Sequence, residues 1–262
     1  MKQNLIQTFT QKKGVKEIID FFYEQKIEIR FVGGCIRDAL LKKPIEDIDF
    51  AVKSHPEKVI NILQSSNIKF DDYAKKYGSF IIWFEEKKFQ VTCLRQDFNQ
   101  KGRDTNIRFT DSWKKDALRR DFTINALYLS LTGNLYDYFS GLEDLSNQQV
   151  KFIGDIDKRI TEDYLRIFRY FRFLGCFEEL NVLSDYEKII LKYIPSLNKF
   201  VSNEAMRIEL LKMLKNHFPI NSFQDFIIKN EKNNLIKQVN NWWLEDNYVL
   251  GIKCMKRINN FF

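Results

Sequence analysis

Two aspartates, Asp47 and Asp49, are separated by one residue in the sequence. On a β-strand, residues two apart point to the same face, so these carboxylates would lie side by side and repel each other. A cation between them removes that repulsion, and Mg²⁺ prefers a few carboxylate oxygens together with phosphates. The pair therefore predicts a metal site, although a solvated acidic strand end is the commoner explanation for two such residues alone.

A glycine pair precedes the aspartates, in the sequence GGCIRD at residues 33–38. Gly33 and Gly34 would let the backbone approach a phosphate closely, and a helix beginning there would offer free N–H groups. Arg37 follows within this predicted helix, where its guanidinium could clamp a triphosphate. Alone, the pair is an ordinary turn, but ahead of two aspartates it predicts a phosphate-binding loop beside a metal site.

A third candidate group lies in the sequence RRDFTINAL at residues 119–127. If Arg119, Arg120 and Asp121 stand at the start of a helix, they could contact a ribose and a triphosphate together. The alternative is a salt-bridged helix cap.

The fourth candidate is the sequence EDYLRIFRYFR at residues 162–172. Helical spacing would place Asp163, Arg166 and Arg169 in one band, with Arg172 further round the helix. A carboxylate beside a guanidinium presents an acceptor and donors, as the edge of a nucleobase does, so the pair could select a base without a template. The alternative is an i,i+3 ion pair on a solvated helix.

The elements that must position these residues are mixed in the first half of the chain and helical in the second. After about residue 155 every strong pattern is helical, which predicts an α+β fold. Alternating apolar residues predict strands, and apolar residues at helical spacing predict helices. The strands are expected at 27–31, 47–52, 80–84 and 88–94, the last two as a hairpin, and the helices at 14–25 and 36–41.

Composition limits the partners and the compartment. The 262 residues carry a net charge of +7, which suits a polyanion such as RNA, and 44% are apolar, enough for a sizeable core. Four scattered cysteines and two histidines argue against a zinc site and for a reducing compartment, the cytoplasm. No apolar run approaches the roughly 20 residues that span a bilayer, so no membrane partner is expected.

Together these segments resemble the class II tRNA nucleotidyltransferases and bacterial poly(A) polymerases. The resemblance runs over about residues 30–175 and includes YDYFSGLEDL at 136–145, which is similar to the family's connector between head and neck. It implies a polymerase-β-like catalytic palm as the head in residues 1–145. A helical neck for nucleobase selection and RNA contact would follow in 146–215, and a shortened helical body in 216–262.

The resemblance also implies roles for single residues. Asp47 and Asp49 would be catalytic and would hold Mg²⁺, while Asp163 and Arg166 would choose between CTP and ATP. The 3′-hydroxyl of tRNA would attack the α-phosphate, and pyrophosphate would leave. The nucleotide-binding residues would be Gly33, Gly34, Arg37, Arg120, Asp121, Asn125, Asp163, Arg166, Arg169 and Arg172.

The sequence departs from the family pattern in three respects. Many relatives carry a Glu where this chain has Gln90, and an amide cannot act as a charged metal ligand. The family's Glu-Arg pair on a neck helix is represented only by Glu204 and Arg207, with the arginine displaced. Few residues follow the base-selecting helix, which predicts either a compact variant or an RNA grip shared with a second subunit in a homodimer.

Several activities share these motifs. The polar segment 95–110, with KGR at 101–103, is predicted to be the flexible loop that CC-adding relatives lack. Its presence favours complete CCA addition, with A-only addition, CC-only addition and poly(A) synthesis as alternatives. A catalytically inactive RNA-binding protein is disfavoured because both aspartates and the triphosphate arginine are retained. A small-molecule nucleotidyltransferase is disfavoured because it would not need a base-selecting pair.

Overall fold

The computed structural model of the protein describes residues 2–101, 104–179 and 181–223. It divides into two compact units, the first reaching Gly154 apart from two short stretches and the second beginning at Asp155. Most of the predicted body segment, from residue 224 onward, lies outside the described residues, as do Gly102 and Arg103 of the predicted loop. Across the described ranges, no helix combines the length and apolar character needed to cross a bilayer.

Helices and strands are mixed along the first unit. Its helices are α1 Lys2–Thr10, α2 Val15–Glu24, α3 Gly34–Leu40, α4 Pro56–Ser65, α5 Trp113–Leu118 and α6 Gly141–Ser146. Its strands are β1 Ile29–Val32, β2 Asp49–Val52, β3 Phe70–Asp71, β4 Ser79–Phe84, β5 Lys87–Cys93, β6 Arg95–Lys101, β7 Asp104–Phe109, β8 Leu127–Ser130 and β9 Leu135–Asp137.

Seven of these strands form one sheet in the order β3-β4-β5-β2-β1-β8-β9. Strands β2 and β5 pair in parallel, and the other neighbouring pairs are antiparallel. One face is covered by a chain of aromatic contacts, in which Phe31 lies 4.6 Å from Phe9 and 4.8 Å from Phe50 between ring centroids. Burial of these rings supplies much of the apolar surface that holds the helices on the sheet.

The opposite face of the sheet packs against α5. Ala51 and Tyr128 of the sheet join Trp113 and Ala117 of the helix in one buried cluster. Strand β1 is therefore covered on both sides, and Arg30, which alternation would place in solvent, is 7% exposed. Its guanidinium carbon lies 4.0 Å and 3.8 Å from the ring centroids of Trp113 and Tyr136, so cation–π contacts replace water.

The predicted hairpin of β4 and β5 is confirmed. Its turn residues Glu85 and Glu86 have φ of 46° and 63°, as expected for the tight turn whose twist matches antiparallel strands. The predicted loop 95–110 is wrong in type, because β6 and β7 form a two-stranded ribbon there. The polar composition that suggested a loop is also compatible with a ribbon outside the main sheet.

Helices make up the second unit. They are α7 Ile156–Glu162, α8 Leu165–Leu174, α9 Ser184–Tyr193, α10 Leu197–Phe200, α11 Asn203–Leu214 and α12 Pro219–Phe223. Helix α8 packs on α11 and α12. The contact is apolar, with Phe171 of α8 and Met206, Leu210 and Met213 of α11 all buried.

Candidate active site

The glycine pair lies between β1 and α3, as the sequence predicted. Gly33 adopts φ 78° and ψ −130°, a conformation that residues with a side chain rarely reach. A Cβ at Gly33 would lie 3.3 Å from Nη1 of Arg120, so the backbone approaches that arginine closely. At Gly34 a Cβ would meet only the Arg37 guanidinium, at 3.5 Å. Packing within the chain therefore explains Gly33 and leaves Gly34 for another cause, such as a ligand.

Three predicted nucleotide-binding residues form one chain of hydrogen bonds. Arg37, 9% exposed, donates through Nη1 to Oδ1 of Asn125 at 2.6 Å, and through Nε and Nη2 to the two carboxylate oxygens of Asp38, each at 2.9 Å. Asn125 donates through Nδ2 to Oδ1 of Asp121 at 3.3 Å. The chain joins α3 to the turn after α5, so segments 33–38 and 119–127 are brought together.

The two aspartates lie at the start of β2 rather than both within it. The strand begins at Asp49, while Asp47 precedes it and is exposed. Burial raises the pKa of Asp49, the positive charge of Arg120 opposes that rise, and the negative charge of Asp47 adds to it. The two carboxylates are thus close enough to repel each other, and Arg120 is close enough to attract Asp49.

Arg120 is held in place by two residues that sequence reasoning missed. Its Nε donates to the hydroxyl of Tyr128 at 3.2 Å, and its Nη2 lies 3.5 Å from Oδ2 of Asp116. Asp116, 1% exposed, also accepts hydrogen bonds from the Tyr128 hydroxyl at 2.6 Å and from Nε of Arg119 at 2.8 Å. These contacts fix the direction of the Arg120 guanidinium beside Gly33.

Electrostatics reinforce this arrangement. Burial by itself would raise the pKa of Asp116, but Arg119 and Arg120 together with the Tyr128 hydroxyl lower it to about 2. Burial opposes the charge of Arg120, yet Tyr128 and Asp116 raise the pKa of this guanidinium overall. Both groups are therefore charged at neutral pH, and Arg120 offers a fixed positive charge to an anion.

The expectation that Arg119, Arg120 and Asp121 stand at a helix start is wrong. Helix α5 ends at Leu118, so the arginines follow its last turn, and a 3₁₀ turn begins only at Thr123. The spacing of Asp116 from Arg119 and Arg120, three and four residues on a helix, is the sequence signal that could have revealed the true anchor.

The segment similar to the head–neck connector supports the turn at Thr123. The Thr123 hydroxyl donates to Asp144 of α6 at 2.6 Å, and Asp144 also pairs with Lys151 at 2.6 Å. A Cβ at Gly141 would overlap the Thr123 carbonyl, so glycine permits this close approach. Asp137 caps the start of α6 by accepting the backbone N–H of Gly141 at 2.9 Å. The glycine and both acids are thus needed to hold the turn that carries Asn125.

In the second unit, Asp163 lies between two helices and not within one. Its φ of −156° and ψ of 103° end α7, and its Oδ1 accepts the backbone N–H of Leu165 at 3.0 Å, at the start of α8. The predicted band of Asp163, Arg166 and Arg169 along one helix is therefore wrong, because extended backbone at Asp163 breaks the helical spacing.

The carboxylate that pairs with Arg166 is that of Glu162. Arg166, 5% exposed, donates through Nη1 to Glu162 at 2.8 Å and to the carbonyl of Arg159 at 2.7 Å. Arg159 donates to the same Glu162 oxygen at 2.6 Å. Arg166 thus joins α8 to α7, close in sequence to Asp163, whose carboxylate lies at the partly exposed junction.

The remaining predicted arginines differ in their surroundings. Arg169 is half-buried, with its guanidinium 5.5 Å from the ring centroid of Phe173. Arg172 forms a 3.1 Å ion pair with Glu209 of α11, which is 3% exposed. The buried carboxylate gives Arg172 a structural contact between α8 and α11. Glu209 escaped sequence reasoning because charged residues are rarely buried in a helix.

Two of the departures from the family pattern can be placed. Gln90 is the strand partner of Asp49 in the parallel pairing of β2 and β5, and it is exposed. Glu204 and Arg207 form a 3.6 Å ion pair on α11 with both side chains more than half exposed. An exposed pair of this kind contributes little, which agrees with the doubtful role of the displaced arginine.

The head residues fit a divalent cation. The charge of Asp49 is disfavoured by burial and by Asp47, and a dication between the two carboxylates would remove both effects. Within residues 2–101, 104–179 and 181–223, no cluster of three or more His, Cys, Asp or Glu forms a metal-binding group. A magnesium ion here would therefore take its other ligands from phosphates and water, as this ion often does.

Comparisons with known proteins agree with this site. Residues 29–151 match the family model described as the poly(A) polymerase head domain. The mitochondrial CCA tRNA nucleotidyltransferase 1 of Homo sapiens is 38% identical over 206 residues, 77% of this chain and 47% of that protein. The CCA-adding enzyme of Enterococcus faecalis is 38% identical over 195 residues, 72% and 46% of the two chains.

A solved structure shows the same fold. The Bacillus stearothermophilus CCA-adding enzyme in complex with CTP aligns with a TM-score of 0.70 and 30% identity, over 80% of this chain and 50% of that one. This chain spans about half the length of these relatives.

The mixed sheet, the aspartate pair and the matched segment define a nucleotidyltransferase head domain. The chain belongs to the family of tRNA nucleotidyltransferases and poly(A) polymerases, and its named relatives are CCA-adding enzymes.

Proposed function

We propose that this protein adds C and A residues to the 3′ end of tRNA from CTP and ATP, without a template. The observation that carries the proposal is the meeting of Asp47, Asp49 and Arg120 beside the Gly33–Gly34 turn, in a chain whose relatives are CCA-adding enzymes. Phosphoryl transfer needs positioning and charge stabilisation more than covalent chemistry, and these residues supply both.

The reaction proceeds by attack of the tRNA 3′-hydroxyl oxygen on the α-phosphorus, with breakage of the bond to the β-phosphate oxygen and release of pyrophosphate. Arg120 stabilises negative charge on the phosphates, because Asp116 and Tyr128 hold its guanidinium in one direction. Arg37 and Asn125 shape the same loop. Magnesium at Asp47 and Asp49 would supply further positive charge and a more acidic attacking hydroxyl.

Nucleobase choice is assigned to the second unit on the strength of the family resemblance. In this proposal Asp163 and Arg166 select CTP or ATP, Arg169 assists them, and Arg172 acts indirectly through its contact with Glu209. The division into a head of residues 1–145, a neck of 146–215 and a body from 216 also stays a prediction, as does a homodimer. Buried free thiols at the described cysteines, Cys35, Cys93 and Cys176, support the predicted cytoplasmic location.

Complete CCA addition is preferred because the segment between β5 and α5 is present as a ribbon, and the family's CC-adding enzymes lack a loop at this place. The test supplies tRNAs lacking CCA, ending in CC and ending in CCA, each with labelled CTP or ATP. CCA addition predicts labelling of the first by CTP and of the second by ATP, with none of the third. A-only, CC-only and poly(A) activities each give a different pattern, and no labelling of any tRNA would refute the proposal.

The Asp163→Ala variant tests the proposed base selection. We expect the ratio of CTP to ATP incorporation to change by more than the triphosphate affinity does. Unchanged selectivity would show that the base is read by other residues.

A further inference from the structure

An exposed aromatic surface lies in the second unit, where α10 approaches the junction of α7 and α8. Phe200 is 52% exposed, and its ring is parallel to that of Tyr164 with centroids 4.6 Å apart and an interplanar angle of 11°. Tyr193 meets Tyr164 edge-on at 6.0 Å. Since Tyr164 covers one face of the Phe200 ring, the exposed fraction belongs to the opposite face and the edge. We call Tyr164, Tyr193 and Phe200 the aromatic platform.

Hydrogen bonds hold the platform in one orientation. The Tyr193 hydroxyl donates to Oδ1 of Asp157 at 2.6 Å, and Nζ of Lys192 lies 2.8 Å from the same oxygen. Bonds from Lys192 and Tyr193 lower the pKa of Asp157, so this carboxylate remains ionised at neutral pH. A ring system fixed beforehand loses little conformational freedom when a ligand stacks on it.

Lysines surround the exposed ring. Nζ of Lys199 lies 5.2 Å from the centroid of Phe200. Lys188 and Lys192 are exposed and four residues apart on α9, so they share one side of that helix. The ion pair of Lys192 with Asp157 is exposed and therefore weak, which lets the ammonium exchange to another anion. A flat apolar ring flanked by ammonium groups matches an unpaired nucleobase flanked by phosphates.

The geometry points to a stacking site for an unpaired RNA base on the exposed face of Phe200, with Lys199 contacting the adjoining phosphate. This inference rests on the proposed function, which supplies RNA as the partner. Tyr164 follows Asp163 directly in the chain, so the platform adjoins the candidate base-selecting segment. A protein partner is disfavoured because lysine is depleted in protein–protein interfaces.

The test measures binding of the full 262-residue chain to two labelled RNA hairpins by fluorescence anisotropy. One hairpin has an unpaired 3′ extension and the other is blunt. Phe200→Ala should weaken binding of the extended hairpin by about 5- to 100-fold and leave the blunt hairpin nearly unchanged. Phe200→Trp should retain wild-type affinity. The matched control is Tyr73→Ala, since Tyr73 is 95% exposed in the first unit.

Lys199→Gln should reduce the slope of log affinity against log salt by about 0.7, the value for one contact to single-stranded phosphate. Equal binding by wild type and Phe200→Ala would overturn the site, as would equal losses on both hairpins. An altered oligomeric state of Phe200→Ala without RNA would also overturn it, by assigning the ring to a protein contact.

Nucleotide addition by the wild type is assayed separately. Turnover with no Phe200 effect on binding refutes the platform alone. A Phe200 effect on binding without any turnover refutes the proposed function alone.

Discussion

Asp49 and Gln90 are direct partners in the parallel pairing of β2 and β5, so their side chains lie on the same face of the sheet. Position 90 is thus placed to provide a third carboxylate to the candidate metal site, and here it provides an amide. The site has two carboxylates because of one side-chain difference and not because the strands are arranged differently.

Gln90→Glu should therefore strengthen divalent metal binding. We expect the dissociation constant for Mn²⁺, measured by electron paramagnetic resonance, to fall by roughly tenfold, because a third charge joins the site. Gln64→Glu is the matched control, since Gln64 is exposed on α4, away from β2 in the sequence. An equal effect of both substitutions would attribute the gain to net charge instead of position.

Asp49→Asn should abolish activity without unfolding the protein. Nucleotide addition should fall by roughly 1,000-fold, as expected when a group that stabilises transition-state charge is lost. Burial raises the pKa of Asp49, so its charged form is disfavoured in the folded state, and the melting temperature should stay equal or rise at neutral pH. Calorimetry and a single-turnover assay check the two outcomes. Normal turnover would remove Asp49 from the metal site.

Tyr128→Phe should weaken nucleotide binding through Arg120. The lost hydroxyl donates to Asp116 and accepts from Arg120, so the guanidinium would no longer be fixed in one direction. We expect the KM for the nucleotide to rise about tenfold, the value of one hydrogen bond to a charged group. Tyr138→Phe, the matched control, removes a hydroxyl from the neighbouring ring, 6.0 Å away between centroids. Similar effects of both variants would argue against positioning by Tyr128.

Asp116 should make the stability of the protein sensitive to acid. Its folded-state pKa of about 2 lies below the roughly 3.9 of an unfolded aspartate. A lowered pKa contributes stability that is present above about pH 4 and is lost as the pH falls towards 2, about 2 kcal/mol in all. Urea unfolding should show the wild type converging on Asp116→Asn over this range. The control is Asp111→Asn at an exposed site, and a constant difference between wild type and Asp116→Asn would contradict the assignment.

Arg172→Ala should destabilise the protein by about 3 kcal/mol, because it leaves the buried carboxylate of Glu209 without its arginine. Arg207→Ala removes a similar ion pair from an exposed part of α11 and should cost less than about 1 kcal/mol. Urea unfolding measures both. Equal costs would show that the Arg172 pair is not a structural contact.

The head could be predicted from sequence to the extent that its chemistry is local. The strand–glycine–helix order at Gly33 and the β4–β5 hairpin follow from conformational preferences of neighbouring residues, and both are confirmed. The ribbon of β6 and β7 was missed because its polar strands carry no alternation of apolar residues. The helical band through Asp163 was missed because a single extended residue interrupts an otherwise helical pattern.

The sequence by itself determined which groups are available: an aspartate pair, a glycine turn and arginines at characteristic spacings. Tertiary structure decided their partners. Arg120 is positioned by Asp116 and Tyr128, and Arg166 is paired with Glu162 instead of Asp163. The physical reason is that a charged side chain settles where burial and opposite charge balance, and that balance depends on residues distant in the chain.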